Sequence, residues 1–141
     1  MIQMKDITIR LSSEEDLDLL SQLNRQLIED EMHDNNMTMD QLKERMSGFL
    51  SLNYKAYLFM ECDDLKGYAL INHDRQPLYL RQFYICRDSR RRGYGKAAFF
   101  KLLDYIGTRI IDIEVLYWNE TGKKFWNSIG FKERSIYMRF E

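Results

Sequence analysis

A run of three arginines followed by two glycines is the part of this sequence best suited to bind a ligand. Residues 89–106 read SRRRGYGKAAFFKLLDYI, and the positions that matter are Arg90, Arg91, Arg92, Gly93 and Gly95. Glycines at the start of a helix leave its free N–H groups and the positive end of its dipole open to an approaching ligand. Because the arginines add positive charge, the stretch predicts an anion site that would suit a diphosphate.

Three interpretations of this stretch compete. It lacks the G-x-x-x-x-G-K-[ST] spacing of a Walker A loop. It also lacks the G-x-G-x-x-G spacing of a Rossmann dinucleotide-binding loop, because Ala98 stands where the third glycine would be. A nucleic-acid surface would spread its basic residues along a face with aromatic residues between them, whereas these are concentrated at one helix start. We favour the phosphate of a small cofactor, and a solvated helix start and a nucleic-acid surface remain as alternatives.

The size and composition of the chain exclude several classes of protein. It has 141 residues, of which 45% are hydrophobic, enough for a single domain over 1–141 with its own core. The longest apolar runs are too short to cross a bilayer, and the N-terminus does not resemble a signal sequence. Since there are only two cysteines, a reducing compartment is the default. We expect a cytoplasmic protein with no membrane partner, and the net charge of −1 argues against a nucleic-acid partner.

Charge is distributed unevenly along the chain. Residues 12–50 contain ten acidic side chains and three basic ones, whereas residues 81–141 contain thirteen basic and seven acidic ones. One half could therefore face a cationic ligand and the other an anionic one. Two ordinary solvated surfaces would give the same pattern.

Hydrophobic periodicity predicts the element order β-α-α-β-β-β-α-β-α-β. The predicted strands cover residues 7–12, 54–62, 66–74, 78–86, 110–118 and 131–141. The predicted helices cover residues 13–32, 38–50, 95–107 and 119–130. This order favours an α/β (α+β) fold, in which a mixed sheet carries helices on both faces.

Two motifs resemble those of the GNAT superfamily of acyl-CoA-dependent N-acetyltransferases. Residues 90–95, RRRGYG, resemble its [R/Q]-x-x-G-x-[G/A] signature. Residues 118–138 resemble its N-x-x-[A/G]-x-x-[F/L]-[Y/W]-x-x-x-G-F pattern followed by a last strand. Residues 27–38 and 78–88 are similar to an uncharacterised bacterial subgroup of that superfamily. The resemblance implies a mostly antiparallel twisted sheet of six to seven strands flanked by about four helices.

The resemblance also implies an activity and a place for acetyl-CoA as co-substrate, with no metal. An amine would attack the thioester directly in a ternary complex, and the N–H of Phe83 would act as the oxyanion donor. The pantetheine arm would enter between strands 78–86 and 110–118, where these diverge. Its expected partners are Phe83, Ile85, Asn119 and Trp126. The pyrophosphate would lie on the N–H groups of Arg91, Gly93, Gly95 and Lys96, and the side chains of Arg90, Arg91 and Arg92 would add positive charge around it.

The catalytic groups usual in the family cannot be carried over. The strand before the phosphate loop contains no Glu or Asp, and Trp126 occupies the position of the usual tyrosine acid. We expect the proton acceptor or the acceptor-binding residues among Glu29, Glu31 and His33, with a charged helix end as the alternative. Tyr79 and Arg81 are further residues expected to bind the acceptor.

Three functions remain to be compared. The first is acetyl transfer to a small cationic amine or an exposed protein amine, and the second is a catalytically idle acyl-CoA-binding module. The third is nucleic-acid binding through the arginines, which the net charge disfavours. The aromatic-rich last strand could also pair with a second subunit to form a homodimer.

Overall fold

The computed structural model describes residues 6–141, which form one sheet of five strands. The strands are β1 (Thr8–Leu11), β2 (Tyr54–Glu61), β3 (Asp64–Asn72), β4 (Leu78–Ile85) and β5 (Ile111–Ile113). They lie in the order β1-β2-β3-β4-β5; the first three pairings are antiparallel and β4 pairs with β5 in parallel. The predicted mixed, mostly antiparallel class is confirmed, but the expected six to seven strands are five.

The four predicted helices are present. They are α1 (Leu17–Asp30), α2 (Met39–Ser51), α3 (Tyr94–Ile106) and α4 (Glu120–Ser128). The caps are local signals: the Thr38 hydroxyl accepts the Gln41 N–H, and Asn119 Oδ1 accepts the Gly122 N–H at 3.0 Å. Gly107 ends α3 in the left-handed conformation. No helix within residues 6–141 is long and apolar enough to cross a membrane.

The sheet is buried on both faces, so the domain has two cores. Successive side chains of β2 point to opposite faces. Tyr57 and Phe59 pack with residues of α3 and partly buried residues of α4. Ala56 and Leu58 pack with residues of α1 and α2. The two helical pairs therefore hold opposite faces of the sheet and meet at its β4–β5 end.

The predicted strand 131–141 lies outside the sheet. Its residues form no ladder with any described strand, and Ile136, Met138 and Phe140 are exposed. The Arg139 Nη2 atom lies 3.5 Å from the Tyr137 hydroxyl, a contact within the segment itself. A strand needs a neighbouring edge for its backbone groups, and residues 131–141 pair with none of the described strands.

The predicted strand 110–118 is reduced to three residues because its chain leaves the sheet. Leu78 pairs with Ile111 and Leu80 with Ile113, and no pairing follows. From Arg81 onward, the edge of β4 that faces β5 is open. This divergence creates the space in which the candidate site lies.

Candidate active site

A small pocket lies at the point where β4 and β5 diverge. Four elements contribute to it: the end of α1, the middle of β4, the end of β5 and α4. The residues that line it are Leu27, Glu31, Leu80, Arg81, Gln82, Phe83, Ile113, Glu114 and Trp126. Among the residues expected to act in catalysis or acceptor binding, the structure brings together Glu31, Arg81 and Phe83.

Arg81 is accommodated by a bulge in β4. The register with β3 skips one residue between Leu80 and Gln82, so Arg81 has no opposite residue. Its guanidinium lies over the Phe49 ring at 4.8 Å, and its Nη1 atom is 3.4 Å from the Tyr54 hydroxyl. The side chain is exposed at the pocket, so no charge is buried in the strand.

The backbone of Phe83 faces the open edge of β4. The Cys86 N–H donates to the Lys66 carbonyl, 2.8 Å away at the start of β3. Since N–H groups of successive strand residues alternate in direction, those of Ile85 and Phe83 point away from β3. The Ile85 carbonyl accepts a hydrogen bond from Arg90 Nε at 2.9 Å. The Phe83 N–H is thus directed toward the diverging β5.

Glu31 is the carboxyl group of the pocket whose acidity is most altered. Burial, and secondarily the neighbouring charge of Asp30, raises the pKa of Glu31 to about 7. No cationic side chain of the described part of the chain lies within 4.0 Å of its carboxylate. The Trp118 indole N–H donates to the Glu31 carbonyl at 3.1 Å, which ties the segment after β5 to the end of α1. A carboxyl group with this pKa can take up a proton near neutral pH.

The other two predicted proton acceptors lie elsewhere. Glu29 and His33 line a second surface pocket, formed by the end of α1 and the connection to α2. Glu29 Oε1 is 3.4 Å from Arg87 Nη2, and His33 Nδ1 accepts the Asn35 N–H at 3.0 Å. Neither residue lines the pocket that contains Phe83.

Tyr79, which we expected to bind the acceptor, is also outside the pocket. Its side chain is buried, and the Arg75 guanidinium covers its ring at 4.3 Å. Burial raises the pKa of Tyr79. These contacts describe a side chain of the sheet rather than of the cleft.

The loop before α3 has the backbone shape of an anion site. Arg91 and Gly93 both have left-handed backbone angles, with φ of 61° and 82°. Alternating conformations of this kind turn successive N–H groups toward one point. A Cβ added to Gly93 would meet nothing within 4 Å, and Arg91, Arg92 and Lys96 are exposed. The residues present therefore fit a phosphate group at the start of α3.

Arg90 differs from the two arginines that follow it. Its guanidinium donates to the carboxylate of Asp30 on α1, and Arg87 Nη2 donates to the same carboxylate at 2.8 Å. Burial alone would raise the pKa of Asp30, but the hydrogen bonds from Arg87 and Arg90 outweigh it and lower that pKa. Arg90 thus connects the loop to α1, and Arg91 and Arg92 remain directed to solvent.

Gly95 and Trp126 lie where α3 and α4 meet. A Cβ on Gly95 would lie 3.0 Å from Phe125 Cε1, so the glycine permits close packing of the two helices. The Trp126 ring packs edge-on against Phe83 and Phe99, with centroids 5.0 Å and 5.5 Å apart. The indole of Trp126 is a wall of the pocket and has no acidic proton at neutral pH.

Two polar residues of the pocket, Glu114 and Gln82, were missing from the predicted site residues. Glu114 directly follows β5. Because strand 110–118 was expected to diverge from its neighbour, this position could have predicted Glu114 as a residue of the pocket. Gln82 is buried and hydrogen-bonded to Tyr68 on β3, a pairing that no local pattern announces.

Comparison with known proteins identifies the family of the chain. The profile of the family described as "Acetyltransferase (GNAT) domain" matches residues 9–140. A possible acetyltransferase from Clostridium difficile 630 has a similar structure, with a TM-score of 0.76, 19% identity and 96% of each chain covered. A predicted acetyltransferase from Clostridium acetobutylicum, solved with acetyl-CoA, gives a TM-score of 0.73 at 14% identity, again over 96% of each chain.

An enzyme of defined activity is also similar in fold. The aminoglycoside N-acetyltransferase AAC(6')-Iy, solved with CoA, gives a TM-score of 0.70 at 19% identity, over 99% of this chain and 98% of that one. No curated protein matches the sequence. Because the family profile covers nearly the whole chain and the solved structures share its fold, the chain belongs to the GNAT acetyltransferase family.

Proposed function

We propose that this protein transfers an acetyl group from acetyl-CoA to an amine, with both substrates bound at once. The observation that carries the proposal is the shared pocket of Glu31 and the open edge of β4 at Phe83. One group can take a proton and the other can donate a hydrogen bond, which are the two functions that aminolysis of a thioester needs. The solved relatives that contain acetyl-CoA or CoA support the choice of donor.

The loop and the open edge would hold the donor. The pyrophosphate would lie on the N–H groups of residues 91–96, with Arg91 and Arg92 adding charge. The pantetheine arm would follow the β4 edge at Phe83 and Ile85, and Asn119 would contact it from the start of α4. Acetyl-CoA supplies the activated acetyl thioester.

The chain's own groups would then guide the transfer. A free alkylammonium has a pKa of about 10, so the amine must lose a proton before it attacks. Glu31 takes this proton, the amine nitrogen forms a bond to the acetyl carbon, and the bond from that carbon to sulfur breaks. The Phe83 N–H stabilises the negative charge that develops on the thioester oxygen. The nitrogen, positively charged after the attack, loses its second proton as the carbon–sulfur bond breaks, and the departing CoA thiolate takes up that proton, so that the neutral amide and CoA thiol leave.

The charges around the pocket favour a cationic amine. Glu31 and Glu114 both line it, and Glu114 is exposed at its mouth. Residues 12–50, which contribute α1 and α2, carry the acidic excess of the chain. A cationic amine is attracted to such a surface before it reaches the thioester.

An idle acyl-CoA-binding module is the second candidate function. The observation that favours it is the absence of the family's usual catalytic groups, since β4 has no carboxylate and Trp126 replaces the tyrosine. It differs from the first candidate in one measurable way, because it predicts acetyl-CoA binding without any amine-dependent release of CoA.

A panel of amines tests the proposal. Purified protein is incubated with acetyl-CoA and each amine, free thiol is measured, and the product is checked by mass spectrometry for one added acetyl group. We expect acceleration by at least one cationic amine, and a large loss in Glu31→Gln but not in the exposed control Glu44→Gln. Binding of acetyl-CoA without release by any amine would favour the idle module.

A further inference from the structure

Gln82 places a hydrogen-bond donor in the pocket. Its side chain is only 6% exposed, yet it lines the pocket beside Glu31 and Phe83. Gln82 Oε1 accepts the hydroxyl proton of Tyr68 at 2.7 Å. Within residues 6–141, this is the one hydrogen bond of the Gln82 side chain, so Nε2 has no protein partner. Nε2 is not fully enclosed by the protein, and because an amide nitrogen only donates, it can take an oxygen from a ligand or from water.

A chain of buried side chains fixes the orientation of this amide. Arg45 Nη2 donates to Asn24 Oδ1 at 3.0 Å. A guanidinium has no acceptor atoms, so Asn24 presents its oxygen to Arg45, and only its nitrogen is left to act on the nearby Tyr68 hydroxyl. Tyr68 then gives its own proton to Gln82 Oε1, which leaves Nε2 on the pocket side.

The hydrogen bond from Tyr68 to Gln82 keeps its donor and acceptor across the working pH range. Tyr68 is fully buried and Asn24 is 1% exposed. Burial raises the pKa of Tyr68 well above its ordinary value, so the hydroxyl keeps its proton. With an inverted Gln82 amide, the Tyr68 oxygen would accept the Gln82 N–H, and the buried Tyr68 proton would lose the Oε1 acceptor that it has at 2.7 Å.

A second donor faces the same pocket without a carboxylate partner. Arg81 lines the pocket, and no acidic group of the described chain lies within 4.0 Å of its guanidinium. The pocket thus has two characters. Glu31 and Glu114 suit an ammonium group, whereas Gln82 Nε2 and Arg81 suit an oxygen atom.

We propose that Gln82 Nε2 recognises an oxygen of the acceptor, so that the acceptor is an amine that also carries a carboxylate or carbonyl oxygen, as in an amino acid or its amide. This inference rests on the proposed function, because it assigns the acceptor of the same site. Amines without such an oxygen leave the Gln82 N–H unpaired when they displace water from the pocket. A site built around a hydrogen bond discriminates strongly against ligands that cannot form it.

Matched pairs of ligands test the inference by direct binding. The pairs are L-lysine with cadaverine, L-leucine with isoamylamine and L-phenylalanine with phenethylamine, and the three amino-acid amides separate carboxylate from carbonyl recognition. The side-chain amide signal of Gln82 is followed by NMR in 15N-labelled, CoA-loaded protein, and its loss in Gln82→Met assigns it. We expect amino acids or their amides to shift this signal, and the decarboxylated partners to leave it in place. Equal shifts within every pair, or no shift with any ligand, would overturn the inference.

A kinetic comparison uses two interior tyrosines of the same sheet face. Tyr68→Phe removes the hydroxyl that orients Gln82, whereas Tyr84→Phe removes a hydroxyl that donates to Gln26 at 2.8 Å and not to Gln82. We expect Tyr68→Phe to lower the preference for the oxygen-bearing member of a pair by about tenfold, through KM, with the KM for acetyl-CoA unchanged. Tyr84→Phe should keep the preference.

The two proposals fail in different ways. An unchanged preference in Tyr68→Phe, or an equal loss in both variants, would overturn the role of Gln82 and leave acetyl transfer intact. If no amine releases CoA, acetyl transfer fails, and the NMR shifts still decide whether Gln82 binds an oxygen.

Discussion

Asp30 and Glu31 are consecutive residues at the end of α1, and their carboxyl groups face different surfaces with opposite changes in acidity. Asp30 receives hydrogen bonds from Arg87 and Arg90, which lower its pKa against the effect of burial. Glu31 lines the pocket beside Phe83, and burial raises its pKa to about 7. One helix end therefore contacts both the arginine–glycine loop before α3 and the pocket at Phe83.

Replacement of Glu31 tests its function as the proton acceptor. Glu31→Gln keeps the shape of the side chain but cannot take a proton, so we expect kcat/KM to fall about a hundredfold or more. In the wild type, kcat/KM should rise with pH through about 7 as Glu31 loses its proton, and the variant should lack this limb. The measurement is a pH profile of amine-dependent CoA release. If Glu29→Gln lost as much activity, the proton acceptor would be misassigned.

Glu31 also predicts a pH dependence of stability. Its pKa is raised from 4.5 to about 7 in the fold, so between these values the unfolded chain has released a proton that the folded chain still holds. The free energy of unfolding therefore falls as pH rises through this window. We expect Glu31→Gln to gain on the order of 2 kcal/mol relative to the wild type between pH 4 and pH 8, measured by urea unfolding. If the difference in the free energy of unfolding between the two proteins stayed the same from pH 4 to pH 8, the burial of the carboxyl group would be contradicted.

Asp30 should show the opposite dependence. Because its pKa is lowered in the fold, its contribution is present above its unfolded pKa and is lost as pH falls through the folded value. We expect Asp30→Asn to destabilise the protein at neutral pH and to approach the wild type in acid. The same urea series measures it, and a penalty that stayed constant down to acid pH would exclude the ion pairs as its cause.

Gly93 and Gly95, the two glycines at the start of α3, should respond differently to the same substitution. In Gly95→Ala the new Cβ lies 3.0 Å from Phe125 Cε1, so helices α3 and α4 must separate, at a cost of about 1–3 kcal/mol. In Gly93→Ala the new Cβ meets nothing within 4 Å, and only the positive φ is penalised, by about 1 kcal/mol. Thermal unfolding compares them. A larger loss in Gly93→Ala would contradict the packing account.

Replacement of Trp126 tests whether this pocket residue acts as a general acid. Its ring packs on Phe83 and Phe99, and an indole N–H does not release a proton at neutral pH. We therefore expect Trp126→Phe to keep kcat within about threefold, because most of the packing survives. A loss as large as that of Glu31→Gln would show that the indole takes part in the chemistry.

The exposed C-terminal residues test the expected homodimer. Ile136, Met138 and Phe140 are exposed in the segment after α4, and among residues 6–141 the strand β5 pairs with β4 alone. We expect this segment to pair with the β5 edge of a second copy. Sedimentation velocity should then show a dimer in the wild type and a monomer in Met138→Asp, with Glu133→Gln as the control. A monomeric wild type would contradict this pairing.

Local patterns were sufficient to predict most of the fold. The four helices follow from apolar periodicity and from caps such as Thr38 and Asn119, each of which depends on neighbours within four residues. The strand predicted over 131–141 failed because pairing depends on a partner edge that the sequence does not specify. The reduction of strand 110–118 to Ile111–Ile113 has the same cause.

The site was predictable only in part. The loop at Gly93 and the position of Phe83 follow from motifs. Which acid of residues 29–33 enters the pocket depends on the rotation of α1 against the sheet, and the structure brings Glu31 there. The orientation of Gln82 on β4 depends on a hydrogen bond from Tyr68 on the neighbouring strand β3, and the sequence pattern of neither strand encodes it.

A calorimetric titration with acetyl-CoA tests the central claim most directly. The wild type is compared with an Arg91→Ala/Arg92→Ala variant and with a control of equal charge change, Lys132→Ala/Arg134→Ala. We predict micromolar binding by the wild type and the control, and affinity at least about tenfold weaker in the loop variant. Absence of binding by the wild type, or equal binding by all three proteins, would contradict a phosphate site at the start of α3 and the acetyl transfer built on it.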